Sequence, residues 1–297
     1  MATSALARVS PATIFGRPGP DHVWLGPVQS AAVSFALRSQ ARRRTAILLG
    51  PRGCGKSTVL DTILQNIPGM FFRIRGQWDS GAALLSALVE RAGLKSSGDA
   101  GSQREALATY LRSRRSSGQI TSYAVDDAEH LSADVWHELY RLRMIDLDGE
   151  PPYFILVGRP SMQAGLESRN AGDWARLCMA VHVMAAPSYD DINTYVLRRL
   201  HAVRVPVGTF PTGTRALIAK LSEGSFKRVN LLCQASLLLA GRRGSLRVDE
   251  ELVLAAQAML GRRNDSGAEP TGARKLKLVG GRSQAKTPSL KRVSTPG

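Results

Sequence analysis

The segment Gly50-Pro51-Arg52-Gly53-Cys54-Gly55-Lys56-Ser57-Thr58 carries the densest set of chemically placed residues in the chain. It fits the pattern GxxxxGK[ST], follows an apolar run and opens a stretch of helical spacing, which is the context this pattern needs. Its glycines let the backbone turn so that consecutive N–H groups face one anion, and the helix N-terminus behind them adds partial positive charge. Lys56 is placed to reach the β- and γ-phosphates of a nucleotide as a point charge, and Ser57 to give a hydroxyl to Mg²⁺. Cys54 lies in the loop where only backbone is used. It therefore reads as a point where oxidation would block the loop, not as a catalytic thiol.

A second constellation ends an apolar run with carboxylates: Tyr123-Ala124-Val125-Asp126-Asp127-Ala128-Glu129-His130-Leu131. Asp126 is placed to hold Mg²⁺ through water, and Asp127 to orient or deprotonate an attacking water. Aspartate is one methylene shorter than the glutamate usual at such a position, which points to slow hydrolysis. Glu129 is the second candidate for that task. His130 reads as a surface or packing residue, since no other metal-type residue stands at ligand spacing from it.

These residues need a scaffold, and the hydrophobic pattern supplies one. Short apolar runs at Thr45–Gly50, Met70–Arg75, Ile120–Asp126, Tyr153–Val157 and Met179–Met184 read as buried parallel strands. Helical spacing falls between them, at Ser57–Gln65, Gly81–Ala92, Gln103–Ser113 and Ser132–Met144. In the last of these Ser132 is the N-cap, and Val135, Trp136, Leu139 and Leu142 share one face. Strands alternating with helices imply an α/β architecture, a parallel sheet covered by helices on both faces. One strand and its helices intervene between the glycine-rich loop and Asp126, as in the ATPases that insert a strand between the two motif strands. Beyond Pro187 only helical spacing remains, over Tyr189–Val203, Gly213–Glu223, Lys227–Ala240 and Asp249–Arg262. The division expected is an irregular N-terminal arm over 1–30, an α/β core over 31–187, a small all-α lid over 188–262 and a disordered tail over 263–297.

Composition sets the outer bounds. The chain has 297 residues, 43% hydrophobic and 22% charged, enough for a proper core and too apolar for a wholly disordered chain. Its three cysteines, Cys54, Cys178 and Cys233, lie far apart without a CxxC pair, which argues against a disulfide scaffold and for a reducing, cytoplasmic setting. No apolar stretch approaches the roughly 18 residues of a membrane span, and no continuous apolar core of a secretory leader follows Arg8. The net charge is +16, and the stretch 261–297 holds nine basic and two acidic residues. Such a balance favours a polyanionic partner, nucleic acid before an anionic membrane surface, with the tail as an electrostatic arm or as solubilising slack.

Taken together, these motifs resemble the AAA+ ATPases, in particular the general-secretion-pathway A (ExeA-like) type, over roughly residues 13–260. The similarity rests on the glycine-rich loop, on Val125-Asp126-Asp127-Ala128-Glu129-His130-Leu131 (similar to VDEAQxL), on Ile155-Leu156-Val157-Gly158-Arg159-Pro160 (similar to LVGQPEL) and on Gly224-Ser225-Phe226-Lys227-Arg228-Val229-Asn230 (similar to GxPRxIN). The resemblance implies a P-loop NTPase fold, ATP with Mg²⁺ as ligands and a homo-oligomer. It puts Arg159 at the sensor-1 position, Arg176 at that of an inter-subunit arginine finger, and Lys227 with Arg228 at the sensor-2 position. Val23-Trp24-Leu25-Gly26 resembles the segment lining the adenine pocket, so Trp24 and Leu25 are expected there. Two features depart from the secretion relatives: a basic tail, and no membrane segment or cell-wall-binding part. Transposition-regulator ATPases of the TniB or MuB type are similar too, and DNA suits the charge. The function expected is an ATP hydrolase that drives assembly or remodelling of a partner complex. The alternatives are a nucleotide-dependent switch with little hydrolysis and a secretion or envelope assembly ATPase.

Overall fold

Five parallel strands form the centre of the computed structural model, which describes residues 10–16, 23–95, 98–147, 149–168, 174, 179–245 and 247–265. They are β1 (Thr45–Leu49), β2 (Met70–Arg75), β3 (Thr121–Asp126), β4 (Tyr153–Gly158) and β5 (Met179–Val183), in the spatial order β2-β3-β4-β1-β5. Every residue of β1, β3 and β4 is buried, whereas the edge strands β2 and β5 are part-exposed. That is why the three central strands read as unbroken apolar runs: they are covered on both faces.

Alternation along each strand sorts side chains between two cores. Ile47, Leu49, Ile74, Val125 and Leu156 face the core closed by α4 (Gly81–Arg91), α5 (Ala100–Ser116) and α6 (Ala133–Arg143). Ala46, Leu48, Ala124, Ile155 and Val157 face the core under α2 (Pro27–Ala41) and α3 (Lys56–Asn66). Helix α6 begins as expected, with the Ser132 hydroxyl accepting from the Val135 N–H, and Val135, Trp136, Leu139 and Leu142 are all buried.

Register adds an aromatic stack. Phe72 pairs with Tyr123 and Tyr123 with Phe154 across three strands, with ring centroids 5.2 Å and 4.7 Å apart. The Tyr123 hydroxyl is buried without a hydrogen-bond partner, and burial raises its pKa well above the ordinary tyrosine value. Its desolvation is therefore uncompensated, and Tyr123→Phe is expected to stabilise the fold by ~1 kcal/mol, read as a raised urea midpoint at unchanged slope. A lowered midpoint would mean that the hydroxyl has a partner.

After a short helix, α7 (Ser161–Ser168), a third core belongs to α8 (Tyr189–Ala202), α9 (Thr212–Ser222), α10 (Phe226–Arg242) and α11 (Glu250–Asp265), built around Val196, Leu200, Phe210, Ile218, Val229 and Leu252. Helix α8 opens with a reciprocal capping box between Ser188 and Asp191. The N-terminal stretch read as irregular joins this core. Pro11–Phe15 is a short helix, α1, and its Ile14 and Phe15 are each 1% exposed. Arg199 donates to the Ile14 and Gly16 carbonyls at 2.7 and 2.8 Å, and Gln234 to the Phe15 carbonyl at 2.7 Å. A single turn has little stability alone, so packing against α8 and α10 decides its conformation, which local pattern does not report. Helix α2 likewise starts at Pro27, within the supposed arm, and α11 runs past Arg262 to Asp265. Residues 266–297, read as the tail, lie outside the described residues. No helix among the described residues is long and apolar enough to cross a membrane.

Candidate functional site

The carboxyl ends of β1 and β3 carry the two motifs into one cleft of about 630 Å³. After β1 the chain turns through residues 50–55 into α3, whose N-cap Gly55 has φ 99°. Gly53 has φ 82°, and a Cβ there would lie 2.0 Å from the Ser225 hydroxyl oxygen, so only glycine fits. The loop is held from both sides. Gln29 of α2, 4% exposed, donates to the Cys54 carbonyl at 2.9 Å, and the Phe226 N–H donates to the Gly53 carbonyl at 2.9 Å. Lys56 folds into the loop, its Nζ donating to the Gly50 and Pro51 carbonyls at 2.8 Å each. Cys54 is fully buried, and burial pushes its thiol pKa up, against the pull of the Lys56 charge. A desolvated thiol is a poor target for oxidation, so the reading of Cys54 as an oxidation point is corrected.

At the β3 end, Ser57 donates toward Asp126 Oδ1 at 3.4 Å. Asp126 is 1% exposed, and its other oxygen, Oδ2, accepts from two arginines of β2. Arg73 reaches it at 3.0 Å, and Arg75 through both Nε, at 3.1 Å, and Nη2. Burial alone would raise the Asp126 carboxyl, but Arg75 and Arg73 outweigh it and hold the pKa below the usual carboxylate range. Arg73 also pairs with Asp61. Asp127 follows in the left-handed backbone region, φ 57°, with its side chain lining the cleft. Its pKa is raised, first by burial and then by the neighbouring charges of Asp126 and Glu129. Glu129, the second candidate, is engaged elsewhere. Its Oε1 lies 3.0 Å from Arg159 Nε, and its Oε2 accepts from the Arg159 backbone N–H at 3.2 Å. His130 is half-exposed, 3.7 Å from Glu129.

The opposite wall comes from α8, α10 and the segment before α2. Trp24, Tyr195 and Phe226 form an aromatic cluster with centroid separations of 6.0, 6.2 and 4.8 Å. The Tyr195 hydroxyl donates to Asn230 Oδ1 at 2.8 Å. Of the residues predicted from sequence, Trp24, Leu25, Arg52, Gly53, Gly55, Lys56, Ser57, Thr58, Asp127, Arg159 and Lys227 line this one cleft. Gly50, Cys54 and Asp126 are buried behind its surface, and Pro51 is exposed and does not line it. Arg228 pairs with Glu223 at 2.7 Å. Arg176 lies outside the described residues. Gln29, Arg73, Arg75 and Tyr195 lie outside every motif, and Phe226 and Asn230 fall within the 224–230 motif without a role assigned to them. The alternation of Arg73 and Arg75 on an otherwise apolar strand is the one signal for that pair, and the register with Asp126 is not written in sequence.

A five-stranded parallel sheet in this order, with the glycine-rich loop after β1 and the acidic pair after β3, is the AAA+ form of the P-loop NTPase fold, and residues 39–166 match the model of the AAA domain family. The chain is 27% identical over 225 residues to general secretion pathway protein A of Aeromonas hydrophila, covering 74% of this chain and 41% of that protein. It thus spans about two fifths of that relative's length. Among solved structures, Cdc6p of Pyrobaculum aerophilum superposes with a TM-score of 0.67 at 18% identity, over 84% of this chain and 70% of that one. The Orc1 protein of Aeropyrum pernix in complex with DNA gives 0.65 at 18% identity, over 86% and 70%. The RuvB Holliday junction branch migration motor of Thermotoga maritima gives 0.52 at 14% identity, over 83% and 73%. The resemblance implied by the motifs therefore holds for sequence and for fold.

Proposed function

We propose that the cleft binds ATP with Mg²⁺ and that the protein is an AAA+ ATP hydrolase acting on a DNA-associated complex. The observation that carries this reading is the convergence at one cleft of the loop cradling Lys56, the Ser57–Asp126 pair and an aromatic cluster. In this reading residues 31–187 are the catalytic core and 188–262 a lid. The loop N–H groups and Lys56 hold the phosphates, while the base lies against Trp24, Leu25, Tyr195 and Phe226. The Ser57 hydroxyl and Asp126 Oδ1 are hard oxygen donors close together, a set that suits Mg²⁺. Bound there, Mg²⁺ would neutralise phosphate charge. Asp127 takes the proton of the attacking water, a task helped by its raised pKa. Arg159 and Lys227 contact the terminal phosphates, and Arg176 of a neighbouring copy completes the site of a homo-oligomer.

The DNA association is supported by the +16 charge and by the likeness to the DNA-bound Orc1 protein. A second reading, a nucleotide switch with little turnover, is favoured by the short Asp127 and by the capture of Glu129 by Arg159. The name of the Aeromonas relative favours a third, assembly of a secretion apparatus, which predicts a membrane-protein partner and no salt-sensitive DNA affinity.

The test is steady-state ATP hydrolysis with and without double-stranded DNA, for the full chain and for one truncated after Arg263. DNA is expected to stimulate turnover. The DNA affinity should fall with salt on a log–log slope of about −0.9 per phosphate contacted, less steeply after truncation. ATP binding without turnover in either condition would favour the switch. Stimulation absent at all salt concentrations would remove DNA from the account.

A further inference from the structure

The arginines on Asp126 have a consequence for metal binding that the motifs alone do not contain. In the β2–β3 ladder Arg75 stands directly beside Asp126, and Arg73 points the same way two residues earlier. Their roles differ. The Arg73 side chain is 10% exposed and shared with Asp61, so it is part of the packed interior. The Arg75 side chain is 44% exposed and meets Oδ2 through two nitrogens. That leaves Oδ1, which accepts from the Ser57 hydroxyl at 3.4 Å, as the carboxylate oxygen without an arginine on it. A guanidinium is always charged, cannot be titrated away and pairs bidentately with carboxylate.

We propose that Arg75 is a positioning residue that sets the metal demand of this site, by holding Asp126 Oδ2 and placing a fixed positive charge beside the position of a divalent cation. The inference rests on the ATP–Mg²⁺ reading above. Two effects of opposite sign follow from the same charge. Arg75 offsets the negative field of Asp126 toward incoming phosphates, which favours nucleotide binding without metal. It also repels a divalent cation and withholds one of its oxygens, which weakens metal binding. At a separation of several ångströms in a partly solvated site, one unit charge against two is worth about a tenfold change in affinity.

The experiment compares the full chain with Arg75→Ala, Arg75→Gln and the conservative Arg75→Lys. Mn²⁺ binding to the nucleotide complex is read by electron paramagnetic resonance, and fluorescent ATP-analogue binding is read in EDTA. Removal of the guanidinium leaves Arg73 on Asp126, so the fold is expected to survive, and melting curves check this. The expected result is a crossed pair of shifts. In Arg75→Ala and Arg75→Gln, Mn²⁺ half-saturation falls about tenfold while the metal-free ATP analogue binds more weakly. Arg75→Lys returns both toward wild type. A purely structural role would weaken both together. Unchanged or raised Mn²⁺ half-saturation in folded Arg75→Ala and Arg75→Gln overturns the proposal and leaves the ATP reading intact. Absence of analogue binding by the wild-type chain, with and without Mn²⁺, overturns both.

Discussion

Asp127→Asn is expected to lower ATP turnover by about 10²–10⁴-fold while leaving ATP affinity within a few-fold of wild type. Asparagine is nearly isosteric and tolerates the left-handed backbone conformation that residue 127 adopts at φ 57°, so the geometry survives and only the proton acceptor is lost. The raised pKa of Asp127 makes a second part of the prediction. A carboxyl whose folded-state pKa lies above its unfolded value favours folding most when protonated. That contribution is lost as pH rises through the folded pKa. At neutral pH Asp127 is therefore a net cost to the fold, and Asp127→Asn should be at least as stable as wild type in a thermal melt. Asp126 has the opposite sign. Its depressed pKa contributes stability above the ordinary carboxylate range, lost as pH falls through the folded value. Turnover of the wild type should fall off in acid at a higher pH than an unperturbed aspartate would give. Asp127→Glu, which restores the missing methylene, should raise the rate. Full turnover in Asp127→Asn would move the proton acceptor elsewhere.

Lys56→Ala is the second large effect. Lys56 is 8% exposed, and its charge is held on two carbonyls of the loop that it must share with phosphate. Loss of a charge-assisted partner of this kind is worth about 1.5–3 kcal/mol, roughly 10- to 150-fold in affinity. Turnover should drop to background, because the same charge is needed as the terminal phosphate departs. The fold is expected to hold, since Gln29 still ties the loop to α2 and the Phe226 N–H still holds the Gly53 carbonyl.

How much of this was readable in advance depends on the range of the forces involved. The strands were legible to within one residue because β1, β3 and β4 are buried on both faces and leave unbroken apolar runs. The glycine-rich loop was legible because anion binding by backbone demands specific glycines at fixed spacing. The aromatic wall was only half legible. Trp24 came from motif, but Tyr195 and Phe226 meet it from helices distant in sequence. Helix α1 was hidden because its conformation is set by Arg199 and Gln234, far along the chain. The start of helix α2 lies inside the stretch expected to be an irregular arm, although Gly26 followed by Pro27 is a local helix-start signal. The Arg73–Asp126–Arg75 cluster was hidden because pairing register between strands is a tertiary outcome.

The central claim is that the cleft between the β1–α3 loop and α10 is an ATP site. Titration of ATP into wild type and Lys56→Ala, followed by calorimetry in Mg²⁺ at matched folded concentrations, tests it most directly. Saturable one-to-one binding by wild type, weakened roughly 10- to 150-fold in Lys56→Ala, is the result predicted. No binding by wild type, or equal affinity in the two proteins, would contradict it.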